Sequence, residues 1–166
     1  MEEQKQHVLV TWDFIEVAIY ALKHAYNFAR VSNSDIALLH IVKKDKELGE
    51  LQQKLDEVAK EHTKKSKMTV KGIVKEGSIF TTIGEVATEI NAEMVIMGTH
   101  GIKGMQKLTG SWALKVIVNS RVPFIVIQAP PISNSIDNVV FPINFKMENK
   151  EKLTWVSFLS KHYKCK

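Results

Sequence analysis

The chain has 166 residues, 45% hydrophobic and 25% charged, an ordinary composition for one globular domain that buries its own core. A lone cysteine, Cys165, excludes a disulfide framework and a multi-cysteine zinc site, and it fits a reducing compartment. The formal charge of +5 does not point to nucleic acid, because the densest lysine group (Lys60, Lys64, Lys65 and Lys67) shares its segment with Asp56, Glu57 and Glu61. No apolar run approaches the roughly 18 residues of a membrane span. The polar, acidic start MEEQKQH lacks the basic-then-apolar pattern of a secretory leader. These features lead us to expect a cytoplasmic protein with neither nucleic acid nor a membrane as partner.

In chain order, His7 to Val10 is a short apolar run of buried-strand type that ends at Thr11-Trp12-Asp13. Val17, Ala18, Ala21, Leu22, Ala25, Phe28 and Ala29 then recur at helical spacing. Ile36 to Val42 is a second strand, apolar enough to be covered on both faces. From Lys46 to about Ser66, a stripe of Leu48, Leu51, Leu55, Val58 and Ala59 predicts a surface helix. Met68 to Val74 alternates as a third strand, and Ser78 can cap a helix buried through Ile79, Ile83, Val86, Ala87 and Ile90. Met94 to Met97 is a fourth strand. A helix from about Ser111 and a fifth strand, Phe124 to Gln128, complete the pattern. Strands alternating with amphipathic helices predict an α/β fold with a parallel sheet between helices. Ligands in such sheets sit beyond the carboxyl ends of strands, where the winding reverses. Asp13 and Gly98 mark two of those ends.

The fourth strand leads into MGTHGIKGMQKLTGS, which holds four of the chain's eight glycines: Gly98, Gly101, Gly104 and Gly110. The dinucleotide fingerprint G-x-G-x-x-G is absent, and so is the Gly-Lys-Ser/Thr of a P-loop. A strand, a glycine-bearing loop and Gly110-Ser111 at a helix start can still form an anion site. Glycines permit close backbone approach, and the first N–H groups of a helix lack internal partners. The same glycines can instead serve turns and close helix–sheet packing, and spacing alone does not separate the two. The six histidines show no metal-ligand spacing, and His40, inside an apolar strand, reads as a satisfied core histidine. His100 lies in the candidate loop, where either phosphate contact or loop packing is open to it.

Met97-Gly98-Thr99-His100-Gly101, then Gly110-Ser111, a helix, Val122-Pro123 and an apolar strand resemble the universal stress protein family. The aspartate that closes strand one, the Leu-Leu-His-Ile of strand two, and Val74 to Ser78 agree, so the resemblance spans residues 7 to 128. It implies an adenine nucleotide alpha hydrolase-like fold, with a five-stranded parallel sheet of order 3-2-1-4-5. It further implies ATP as ligand, with or without Mg2+; the sequence offers no obvious acid, base or nucleophile beyond Asp13, so at most weak ATP hydrolysis is expected. By position, Asp13 would face the ribose and adenine and the Ile41 backbone the adenine. Gly98 and Gly101 would line the ribose and phosphates, with Gly110, Ser111 and the Trp112 N–H holding phosphate. The chain departs from the family pattern in three places. Eight residues, 102 to 109, separate Gly101 from Gly110 where the pattern has nine; one residue fewer rotates any helical turn there by about 100°. Thr11 and Ile15 stand where a proline and a serine commonly flank the aspartate. The alternative is a stress-type dimerisation module that binds no nucleotide.

After a linker at 130–136, NVVFPINF (138–145) matches HVLVTWDF (7–14) at a constant offset that places Asn144 on Asp13. A helical pattern through Leu153, Val156, Leu159 and Tyr163 follows. Residues 1–129 therefore read as one universal stress domain, and 137–166 as an incomplete second repeat of strand plus helix. The resemblance implies a homodimer through the edge strand Phe124–Gln128.

Overall fold

The computed structural model describes residues 5–43, 48–99, 110–134, 136–141 and 149–165. Two compact units, Met1–Pro131 and Ile132–Lys166, divide the chain. In the first, β1 (His7–Thr11), β2 (Asp35–Val42), β3 (Val70–Glu76), β4 (Ala92–Gly98) and β5 (Phe124–Ile127) alternate with α1 (Glu16–Ser32), α2 (Leu48–Ser66), α3 (Ile79–Glu89) and α4 (Gly110–Ile117). The sheet is parallel throughout, in the order β3-β2-β1-β4-β5. This is the order that the resemblance implies, and the winding reverses between β1 and β4.

Continuous apolar runs form the central strands because both faces are covered. Val8, Leu9 and Val10 are fully buried, as are Ile36 to Leu38 and Val95 to Ile96. Leu9, Leu39 and Val95 meet Ile83, Val86 and Ala87 of α3 and Val116 of α4 in one core cluster. On the other face α1 buries all seven of its predicted stripe residues, Val17 to Ala29. Asn33 ends α1 in the left-handed region (φ 58°), with its N–H returning to the Ala29 carbonyl. Ser78 caps α3 as the sequence predicts, accepting from the Phe80 N–H.

Details of β3, α2 and β5 differ from expectation. β3 starts at Val70 instead of Met68 and shows no alternation in burial. Lys67 takes a left-handed φ of 58° to end α2, and the first pairing contact is Ile36 N–H to the Thr69 carbonyl. As an edge strand lapped by α2, β3 is half-buried nearly along its length. α2 fully buries only Leu55 and Ala59, so its outer leucines lie at a rim. β5 ends at Ile127, which leaves Gln128 outside the strand.

In the second unit, α5 (Asn149–Tyr163) forms where a helix is predicted, and the rings of Trp155 and Phe158 meet edge-on at 5.8 Å. The strand expected from Asn138 does not form over residues 138–141, while 142–145 lie outside the described residues. A strand is defined by its ladder, and this unit offers no other strand among its described residues.

Candidate functional site

The turn from β1 into α1 is fixed from β2. In the parallel register Thr11 stands opposite Leu39, which places Trp12 beside His40. The Trp12 N–H donates to the Leu39 carbonyl at 2.7 Å, and His40 Nδ1 lies 2.7 Å from the Trp12 carbonyl. A carbonyl only accepts, so Nδ1 carries the proton in this bond. Asp13 Oδ1 accepts from the Ile15 N–H at 3.3 Å, closing a small turn around Phe14. Phe14 has φ 62°, a conformation that costs a bulky L-residue about 1–3 kcal/mol. Its ring is held on three sides: edge-on to His40 at 5.0 Å, edge-on to Trp12 at 6.3 Å, and under Lys54 Nζ at 4.6 Å.

Beyond the carboxyl ends of β1, β2 and β4 lies a cleft of about 140 Å³. Thr11, Trp12 and Asp13 form one wall, Leu39 to Ile41 a second, and Met97 to Thr99 a third. Ile79 and Ile83 of α3 and Ala113 and Val116 of α4 close it with apolar surface. An apolar cavity of about 150 Å³ admits a benzene-sized ring, so this space suits one flat ring system with Asp13 at its mouth.

The structure brings together three of the predicted residues, Asp13, Ile41 and Gly98. Gly110, Ser111 and Trp112 form the first turn of α4, the helix that flanks the cleft. The helix opens at Gly110, so Ser111 stands inside its first turn. Gly101, with the whole segment 100–109, lies outside the described residues. Ile15, at the family's serine position, is the N-cap of α1 and provides no side-chain hydrogen bond there.

Gly98 has a packing reason of its own. A Cβ there would stand 2.8 Å from the Val17 carbonyl oxygen and 3.0 Å from Val17 Cγ2. Backbone cannot yield that space, so the glycine admits the first turn of α1 onto β4 whether or not a ligand is present. Two residues outside the expected set also line the cleft. Thr99 is buried on the cleft wall, its N–H bonded to the Ile127 carbonyl. His40, read as core, is half-buried and reaches the cleft; drawing the β1–β2 register alone would have put it beside Trp12.

Behind Trp12 the polar chemistry is enclosed. Its Nε1 is buried with no hydrogen-bond partner among the described residues. Its indole meets the His62 ring edge-on at 6.2 Å, and His62 Nδ1 lies 2.6 Å from the Tyr26 hydroxyl. Burial pushes the Tyr26 hydroxyl up to about 12, so at neutral pH it donates to His62. Burial also lowers the pKa of His62. Among the described residues no three His, Cys, Asp or Glu side chains gather to hold a metal ion.

With this geometry in view, the family model described as "Universal stress protein family" matches residues 5–128. The chain belongs to the universal stress protein family. Two universal stress proteins of Methanocaldococcus jannaschii are each 28% identical to it. One alignment covers 78% of this chain and 85% of the relative, the other 77% and 98%. Among solved structures, a universal stress protein from Archaeoglobus fulgidus in complex with dAMP shares the fold at a TM-score of 0.61 and 19% identity, covering 76% of this chain and all of the other. A universal stress protein in complex with cAMP shares it at 0.58 and 19%, covering 76% and 98%. In this universal stress domain, the matched region ends with β5 and excludes the second unit.

Proposed function

We propose that the domain binds an adenine nucleotide in the cleft and acts as a cytoplasmic regulator, not as an enzyme. The observation that carries this reading is the convergence of Asp13, Ile41 and Gly98 on one ring-sized cleft at the point where the winding reverses. Asp13 is exposed at the mouth and can accept from ribose hydroxyls, while the apolar wall of Ile41, Ile79 and Ile83 covers a base. The first turn of α4, Gly110 to Trp112, carries N–H groups that have no partner within the helix and suit a phosphate beside that wall. The cAMP and dAMP complexes of fold relatives support an adenine nucleotide as the class. ATP, with Mg2+ brought on its phosphates, is the member we favour. Residues 137–166 are read as an incomplete second repeat, and assembly as a homodimer through β5.

Mass spectrometry of small molecules released on denaturing the purified protein is the direct test. ATP at a hundredfold excess over its dissociation constant should stabilise the fold by about 2.7 kcal/mol. Gly110→Val should abolish that stabilisation, and Ser111→Ala should weaken it by about 1 kcal/mol. A folded Gly110→Val that binds ATP normally would remove the phosphate site from this reading. Gly98 favours a second reading, a dimerisation module without nucleotide, because helix packing alone accounts for it. No released nucleotide and no thermal shift at millimolar ATP would select that reading.

A further inference from the structure

Phe14 is an aromatic residue held in the left-handed region, one position after the carboxylate at the cleft mouth. Such a conformation persists only where its surroundings impose it. Local restraints on this turn are few: Thr11 has no ring to fix its backbone, and Ile15 contributes no cap. The hydrogen bonds that hold the Trp12 backbone come from β2, and Lys54 of α2 and the Trp12 ring add contacts to the Phe14 ring. The Leu39 carbonyl and the His40 Nδ1–H take the two sides of Trp12, its N–H and its carbonyl, each at 2.7 Å. The His40 ring then serves as the wall against which Phe14 rests at 5.0 Å. One imidazole thus fixes the residue before Asp13 by a hydrogen bond and the residue after it by a ring contact.

We propose that His40 is the positioning residue of the cleft, holding the Trp12–Phe14 turn so that the Asp13 carboxylate is presented to the ribose side of the ligand. The ligand in this statement rests on the adenine-nucleotide reading, whereas the restraint on the turn does not. His40 acts through Asp13 and does not itself need to touch the nucleotide. The bond requires a donor at the δ position. Asparagine, whose Nδ2 can occupy the place of Nδ1, should replace histidine, while leucine removes the donor and glutamine displaces it.

The test has two readouts on the full chain. In nucleotide-free protein, hydrogen exchange at the Ile15 amide, which is bonded to Asp13, should be faster in His40→Leu and restored in His40→Asn. For ligand, ATP affinity should fall roughly fivefold in His40→Leu, the effect of one hydrogen bond, while affinity for inorganic triphosphate stays unchanged. Because His40 works through Asp13, His40→Leu should add nothing to the loss caused by Asp13→Ala. Equal Ile15 exchange in wild type and His40→Leu overturns the proposal. So does a loss that falls equally on ATP and triphosphate, or one that adds to Asp13→Ala. If wild type binds neither compound, the ligand reading fails, and the exchange comparison alone decides the role of His40.

Discussion

The two edges of the sheet are finished differently. At β3 the backbone groups that face away from β2 belong to Val70, Gly72 and Val74, and α2 answers them with side chains. Thr63 Oγ1 accepts from the Val70 N–H at 3.0 Å and donates to the Val70 carbonyl at 3.1 Å. Gln52 accepts from the Val74 N–H at 2.9 Å and donates to the Gly72 carbonyl at 3.1 Å. Each behaves like a residue of one more strand. At β5, Pro123 and Ile127 direct their carbonyls to β4, which turns Phe124 and Val126 outward. Among the described residues no side chain bonds those outer groups, and Val126 is 40% exposed. A sheet whose described residues close one edge and leave the other open can add a strand on one side only, and the proposed homodimer would use β5.

Forcing α2 off β3 is the severest way to break this asymmetry. In Gly72→Val the new Cβ would stand 2.8 Å from Asp56 Oδ1 and 3.2 Å from the Leu55 backbone carbon. A loss of about 3 kcal/mol is expected, at the upper end for overpacking, and chemical denaturation would measure it. A smaller loss would mean that α2 slides without opening the edge.

Removing the bonds but keeping the helix is gentler. Gln52→Ala and Thr63→Val should each cost about 1 kcal/mol and combine nearly additively, since they act on different residues of β3. The more telling readout is sedimentation. The double variant should form larger assemblies than wild type, because a second edge has become available. At the other edge Val126→Lys should shift stability by less than about 0.5 kcal/mol, as an exposed substitution does, and yet give a monomer. Val126 is a better probe than Ile127, which is buried, so a lysine there would report folding and not association.

The smallest effect expected is one of pH. Burial holds His62 neutral, with its pKa below the ordinary 6.5. The unfolded chain takes up that proton first, so stability is complete above about pH 6.5 and declines as pH falls toward the folded-state value. His7, lowered by burial and by Lys71, acts in the same direction. His62→Gln should flatten the dependence of stability on pH between 7 and 5, measured by denaturation at each pH. An unchanged slope would assign it to His7 instead.

The parallel sheet was legible because buried strands and helix stripes carry their pattern locally. Val8 to Val10, Ile36 to Leu38 and the α1 stripe stand where periodicity puts them. The closure of β3 was not legible, since Gln52 and Thr63 are polar residues on what reads as a solvated helix face. Their partners are backbone groups with no sequence signature. Asp13, Ile41 and Gly98 line the cleft that their positions in the chain point to. His40 lines it too, although it reads as core because its apolar strand neighbours outweigh its contact across the register. The missing serine at Ile15 was legible and the structure gives its consequence, an α1 without a side-chain cap.

Gly98 carries a consequence for how such domains change over generations. Any side chain at this position would collide with the first turn of α1, so the demands of folding alone should retain the glycine. A lineage that abandoned nucleotide would keep Gly98 and remain free to vary Gly101 and Gly104. In a randomised library, survivors chosen only for solubility should be uniformly glycine at 98. The identity of residues 101 and 104 among those survivors, compared with survivors chosen for ATP capture, would separate inheritance of a fold from inheritance of a ligand.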